Sequence, residues 1–448
     1  MTPRPAGGAM PVRQRRHLAC RMWLAGVLSA AALTSGLANA EEFSFDASEF
    51  DKKPFEFSGY IEPKLEGLRL RSDSAAFALA YPDAAPRDSL WRGTITLELA
   101  GKANLADWVL DARAQGSQAN DALVTRTDNL RLMEGGVRYS AGPSLTLDAG
   151  KRVQRWGKGY ALTTVGFVEI PKDPGDPTAS REGFVMASGE FTRSLEGPVS
   201  AVSFTGLMLP TDGTMNAVFG KSTDLNPAAK LYLLAWDTDI DLMGRAAGAR
   251  PAAFGLDFSR NIGSNLELHG EWARQRNVTR STVSATGVVS SSTRDTTSWL
   301  LGLRYLTSSE VTWIADWIHN GLGYSDSELG DYYRFLNLAL APGAPAEWVG
   351  KAVSLARSGY LRANPGLDYV YLKASVSEPL GWVYGAASVT WMANAQDRSW
   401  QLTPELSYTG FNGWDLRGRL SWLQGAQWSE FGEKATARKL ELTARYSF

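Results

Sequence analysis

The sequence predicts an all-β fold, a transmembrane antiparallel β-barrel, and three observations carry that prediction. Segments of about ten residues that alternate apolar and polar side chains recur along the chain. Tight turns and longer polar loops alternate between them. The last segment puts Leu440, Leu442, Ala444, Tyr446 and Phe448 on one face and Lys439, Glu441, Thr443, Arg445 and Ser447 on the other, and it ends the chain on an aromatic. Successive strand side chains point to opposite sides, so this is a strand with one greasy and one charged face.

From the N-terminus, Arg13, Arg15, Arg16, His17 and Arg21 form a basic stretch before the apolar and small-residue run Met22–Leu37. Ala38-Asn39-Ala40 fits a small-x-small cleavage site, so residues 1–40 read as a signal peptide and 41–54 as a short acidic periplasmic tail. The only cysteine, Cys20, would leave with the signal, which excludes disulfides, zinc–thiolate sites and thiol catalysis in the rest.

Residues 55–448 then read as the barrel. The clearest strand interleaves Trp91, Gly93, Ile95, Leu97 and Leu99 with Arg92, Thr94, Thr96 and Glu98. The same pattern recurs around Trp108, Leu145, Phe254, Leu266, Trp299, Val311, Trp400 and Trp414, with Trp or Tyr repeatedly at strand ends, as in an interfacial aromatic girdle. Tight turns are expected at 141–144, 262–265, 307–310, 377–380 and 410–413. Longer loops are expected around 71–88, 157–182, 210–228, 277–297, 320–366 and 424–434. About seventeen segments qualify as strands, and closure favours an even number. Sixteen strands is the preferred count and eighteen the alternative, the conflict falling between Pro210 and Gly244.

The 320–366 loop carries helix signals. Ser325 and Glu328 fit a capping box opening a helix through Tyr332, Tyr333, Phe335 and Leu336, and Pro345 starts a second. It reads as a lid over the mouth, as a constriction folded into the lumen, or as a partner-binding element.

A chain that stops on an aromatic strand resembles the outer-membrane β-barrels of Gram-negative bacteria. The resemblance implies short periplasmic turns, long extracellular loops and contact with outer-membrane lipid and lipopolysaccharide. It also makes Tyr446 and Phe448 an assembly signal read by the barrel-insertion machinery. The segment Gly150-Lys-Arg-Val-Gln-Arg-Trp-Gly-Lys-Gly-Tyr160 resembles a Gly–basic…Trp-Gly stretch of uncharacterised outer-membrane barrels and, more loosely, of alginate-export-like and anion-selective porins. The similarity continues through Ile170–Pro174, Asp176-Pro177 and Arg181-Glu182-Gly183, and again at Trp317–Tyr324. It implies a porin-like channel for passive diffusion of small solutes, anions among them.

Lys151, Arg152, Arg155 and Lys158 place four cations within eight residues. Facing lipid at mid-membrane, each would cost about 2–4 kcal/mol, so some must face the lumen or lie above the membrane, where a basic ring favours anions. Pairing with lumenal carboxylates or with lipopolysaccharide phosphates is the alternative. Asp237, Asp239 and Asp241 alternate with Trp236, Thr238 and Ile240 and are expected to face the lumen, where structural pairing is favoured over calcium. His269, between Glu267 and Glu271, and His319 are the remaining histidines outside the signal, and salt-bridged roles are favoured over catalysis. The net charge of −1 implies no nucleic-acid partner. No enzyme, cofactor or metal site is expected. The alternatives to a channel are a barrel serving envelope assembly or polysaccharide handling and an outer-membrane hydrolase.

Overall fold

A computed structural model describes residues 54–448 except 82–84, 86, 124–125 and 172–179. The predicted signal, nearly all of the predicted tail, and Pro174, Asp176 and Pro177 of the loop motif lie outside the described residues.

The alternating segments form β1 (Phe55–Leu70), β2 (Ser89–Leu105), β3 (Trp108–Asp121), β4 (Thr127–Ser140), β5 (Leu145–Arg152) and β6 (Phe184–Ser194). There follow β7 (Val199–Met208), β8 (Pro227–Ala235), β9 (Thr238–Arg245), β10 (Ala253–Ile262), β11 (Leu266–Val283) and β12 (Val289–Leu306). The last six are β13 (Thr312–His319), β14 (Asp368–Ser377), β15 (Gly385–Asn394), β16 (Trp400–Tyr408), β17 (Trp414–Gln424) and β18 (Thr436–Ser447). Each strand pairs antiparallel with the next, and β18 returns to β1, giving one closed 18-stranded sheet. Closure leaves no strand edge unpaired. At the seam Gly59 and Phe448 exchange both backbone hydrogen bonds at 3.0 Å. A Cβ at Gly59 would meet the Phe448 ring at 2.8 Å and the Glu98 carbonyl at 2.6 Å, so this close approach needs glycine.

The preferred count of sixteen is thus corrected to eighteen. In the disputed stretch, β8 and β9 are joined by a two-residue turn, Trp236-Asp237, with both φ values positive at 51° and 55°. The apolar/acidic alternation runs on through this turn and disguises it as strand. The expected loop at 277–297 is also corrected. β11 and β12 continue as a paired hairpin to Val283↔Val289, turning over only 284–288. Their outer halves lack an apolar face because Ser and Thr project on both sides; Thr279–Thr293 and Ser281–Ser291 hydroxyl pairs sit at 2.7 and 2.9 Å.

The alternation sorts the side chains. Trp91, Leu97, Leu99, Trp313, Trp317, Leu420, Leu440 and Leu442 are exposed on the outer face. Glu98, Asp316, Arg419 and Glu441 are buried on the inner one. Near the rim that carries the C-terminus, aromatics pair around the outside, as in Trp108–Tyr139 at 4.5 Å and Trp414–Tyr446 at 5.2 Å. Towards the opposite rim, Trp299–Trp317 and Trp400–Trp422 pair at 5.7 and 5.9 Å.

The opposite rim also carries α1 (Ala75–Ala80), α2 (Asp326–Ala339), α3 (Ala346–Leu355) and α4 (Glu430–Glu433). The Ser325/Glu328 capping box opens α2, and Pro345 precedes α3. Leu329, Tyr332, Tyr333, Phe335 and Leu336 of α2 build a core with Ala352 and Leu355 of α3, Val283 of β11 and Ala75 of α1. Tyr324 and Tyr332 stack on Tyr360 at 3.8 and 4.3 Å.

Candidate constriction site

The stretch after β5 turns inward. Arg152 ends that strand, buried between Asp111, at 2.5 Å, and Asp148. Beyond it Trp156, Val165, Phe167 and Val168 bury themselves against inner-wall side chains of β6 to β11, among them Phe184, Met186, Met243 and Ala273. The apolar side of 153–171 is therefore spent on the barrel wall.

Its polar side is held by one carboxylate. Glu271 of β11, 3% exposed, accepts the Lys158 and Gly159 backbone N–H groups on Oε1 at 2.7 and 2.8 Å. On Oε2 it accepts the Thr164 N–H at 2.5 Å and the Thr163 and Thr164 hydroxyls at 3.0 Å. Five donors on one buried carboxylate fix the fold of the segment. Gly157 makes the turn possible, with φ +106°; a Cβ there would lie 2.6 Å from Glu271 Oε1. Asp316 of β13 accepts the Tyr160 N–H at 3.2 Å and lies 3.0 Å from His269 Nε2. The Tyr160 hydroxyl donates to Glu267 at 3.1 Å. Lys158 Nζ bridges Asp241 of β9 at 3.0 Å and Asp257 of β10 at 3.9 Å. The inward-folded segment is thus pinned to an acidic wall running from β9 to β13.

Two cavities lie inside the barrel, and the first borders this segment. One of 420 Å³ is lined by Arg113, Arg138 and Arg152 with Asp111, Glu134 and Asp148. Another, of 380 Å³, reaches the loop-bearing rim, where Ala363, Asn364, Phe431 and Lys434 border it. Its lining holds the cations Arg92, Lys373, Arg419, Lys434 and Lys439 against the carboxylates Glu66 and Glu405.

The sequence-selected residues divide. Lys151 pairs with Glu182 at 2.5 Å, Arg152 with two aspartates and Lys158 with Asp241, while Arg155 forms no ion pair among the described residues. Asp239 accepts from the Tyr232 hydroxyl, and Asp241 also faces Lys230 at 3.5 Å. Asp237 does not join them in the lumen, because it sits in the turn between β8 and β9. His269 is fully buried, and His319 Nδ1 lies 2.6 Å from Asp368 with its ring stacked on Trp299. The sequence reading passed over Glu271 as an anchor. Its signal was the Glu-x-His-x-Glu alternation, which places Glu271 on the inner face, together with the glycines of Trp156-Gly-Lys-Gly-Tyr160.

No protein family matches the chain, and no curated protein does. Among solved structures, the outer membrane protein OprD from Pseudomonas aeruginosa aligns over 88% of this chain and 93% of its own, at 9% identity and a TM-score of 0.49. Pseudomonas aeruginosa OccK5 (OpdH) aligns over 88% and 98%, at 12% identity and a TM-score of 0.47. A mutant of the Rhodopseudomonas blastica porin aligns over 88% and 100%, at 10% identity and a TM-score of 0.41.

Proposed function

We propose that this barrel is a porin-like channel of the bacterial outer membrane, passing small solutes by diffusion through a lumen narrowed by 153–171. The observation that carries the reading is a closed strand cylinder worn inside out, with charge within and an apolar band between aromatic pairs without. Trp414 and Trp422 lie eight residues apart on one outer face, about 26 Å along the strand and about 20 Å of height at a tilt of about 40°, most of an apolar band of about 25 Å. A soluble barrel would not expose such a band, whereas lipid covers it.

Small anions are the proposed solutes. Of the five cations that line the cavity towards the loop-bearing rim, Lys373 and Lys434 form no ion pair among the described residues, and such unpaired cations raise the local concentration of anions. Among the sequence candidates, Arg152, Lys158 and Asp241 hold the constriction in place. Arg155, without an ion-pair partner among the described residues, is the one left to act on a passing solute. The chain reaches the membrane through its signal peptide and through insertion-machinery recognition of Tyr446 and Phe448. The test is conductance across a planar bilayer by the purified, heat-modifiable protein. Steady channels with a reversal potential favouring anions in a salt gradient support the reading, and a folded barrel that carries no current sinks it.

A further inference from the structure

A row of inner-wall side chains crosses five adjacent strands, and every member borders the 380 Å³ cavity. Lys373 of β14 stands opposite Thr390 of β15, and Thr390 opposite Thr403 of β16. Thr403 Oγ1 donates to Ser421 Oγ of β17 at 3.4 Å, and Ser421 stands opposite Lys439 of β18. The wall thus presents a cation, three hydroxyls and a cation in register, one from each strand. Neighbouring strands lie about 4.8 Å apart, so the hydroxyls span about 10 Å and Lys373 begins one strand further on.

The rows above and below are different. Towards the rim that carries the C-terminus, Arg419 stands between Glu405 and Glu441 and meets them at 2.6 and 3.8 Å, so the charge there is matched. Towards the loop-bearing rim, Tyr371, Met392 and Leu423 pack with Phe431. The two cations of the row also differ. Lys439 is held by Glu441 at 2.9 Å, whereas the half-buried Lys373 forms no ion pair among the described residues. The hydroxyls keep capacity to spare. Thr403 accepts from Gln401 Nε2 at 3.1 Å and gives its proton to Ser421, which leaves it a lone pair. The Ser421 proton has no acceptor among the described residues. Both hydroxyls belong to buried residues, where an unspent donor or acceptor is costly until a ligand takes it.

We propose that this row binds a small hydroxylated monocarboxylate, with its carboxylate on Lys373 and its hydroxyl-bearing chain along Thr390, Thr403 and Ser421. One unspent cation matches one negative charge. Wall hydroxyls both donate and accept, so they match a chain of alcohols, which does both, better than a halide or a second carboxylate, which only accepts. The cavity volume lies in the range of small-molecule sites. The proposal deepens the channel reading by naming a solute class; the permeation of that solute rests on the channel reading, and its binding does not.

The test is calorimetric titration of the full folded protein in detergent with sodium gluconate, against sodium acetate, which has the charge without the alcohols, and sorbitol, which has the alcohols without the charge. Ionic strength is matched throughout. Saturable gluconate binding is expected, with acetate and sorbitol each about tenfold weaker or worse, the scale of two lost hydrogen bonds or one lost charged contact. Thr390→Val with Thr403→Val should bring gluconate down to the level of acetate and leave acetate as it was. Lys373→Gln should weaken gluconate and leave sorbitol as it was. Heat-modifiable mobility shows that each variant is folded. A folded wild type with no saturable gluconate binding overturns the proposal, and so does one that binds acetate as tightly as gluconate. This comparison of ligands stands even where a variant fails to fold. Unchanged gluconate affinity in either folded variant also overturns it. A barrel that binds gluconate yet carries no current overturns the channel reading and leaves this one standing; a conducting barrel that binds no gluconate does the reverse.

Discussion

Two long segments leave the loop-bearing rim, and they are held in opposite ways. Residues 153–171 fold inside the barrel, their backbone donors gathered on Glu271 and Asp316. The 320–367 segment folds mainly on itself, its two helices and stacked tyrosines making a small apolar core. The first has little regular structure, so its amides must find acceptors outside it, and buried wall carboxylates supply them. The second satisfies its own backbone through helices and therefore docks by packing. Removing one acceptor should undo the inner segment, whereas undoing the outer one takes a cavity.

The largest effect should come from Glu271→Ala. It strands three backbone N–H groups and the Thr164 hydroxyl, while the Thr163 hydroxyl keeps the Trp156 carbonyl, at about 1–3 kcal/mol for each group left unsatisfied. The expected outcome is release of 153–171, read as several-fold higher single-channel conductance with unchanged heat-modifiable mobility. Unchanged conductance in a folded variant would break the polar half of the comparison.

Phe335→Ala tests the apolar half. Phe335 is fully buried between the helices, and its truncation should cost about 3–5 kcal/mol of local stability. Hydrogen exchange should accelerate across 326–360 and stay as it was across 153–171. Acceleration in both segments would show that they are one unit and not two.

A smaller, pH-dependent effect belongs to the outer segment. Glu430 of α4 is fully buried and accepts from the Tyr369 hydroxyl at 2.6 Å and Asn394 Nδ2 at 2.9 Å; that hydroxyl in turn receives the Gly366 N–H at 2.5 Å. Burial is the main cause and pushes its carboxyl up to about 7, outweighing Lys434 and the Tyr369 and Asn394 hydrogen bonds, which pull it down; Asp397 adds to the rise. The latched state thus favours the protonated acid. Latching is strongest below the ordinary carboxylate value of 4.5 and weakens as pH rises through about 7. Exchange of the Gly366 amide should quicken over that window beyond the intrinsic rate, and Glu430→Gln should remove the excess.

Much of this architecture was legible in the sequence. Strand existence and facing followed from side-chain alternation, because a barrel wall separates two solvents and each strand must record both. The α2 capping box was legible because it is local. What the sequence concealed was whatever depends on partners far along the chain. Glu271 meets its donors more than a hundred residues away, so nothing near it announces an anchor. The alternation at 236–242 hid a turn, because a two-residue hairpin turn preserves the period of two. The four cations of 151–158 looked like a ring from their spacing alone, yet the partners of three of them, Glu182 for Lys151, Asp111 and Asp148 for Arg152 and Asp241 for Lys158, are set by folding.

That last point sets the smallest prediction, which asks whether the inner segment acts on solutes or only narrows their path. Arg152 and Lys158 are committed to wall carboxylates, so reversing them would confuse loss of structure with loss of field. Arg155 has no ion pair among the described residues and can be changed alone. Arg155→Glu reverses one charge on the segment that narrows the lumen. In a wet pore such a change should be worth under about 1 kcal/mol, or a few-fold in the anion-to-cation permeability ratio. The measurement is the reversal potential in a planar bilayer under a salt gradient, repeated at high salt, where screening should shrink the shift. A shift towards cations that fades with salt makes Arg155 part of the selective path. An unchanged reversal potential, with conductance intact, makes the inner segment a spacer and moves selectivity to the cavity-wall cations Lys373 and Lys434, which form no ion pair among the described residues.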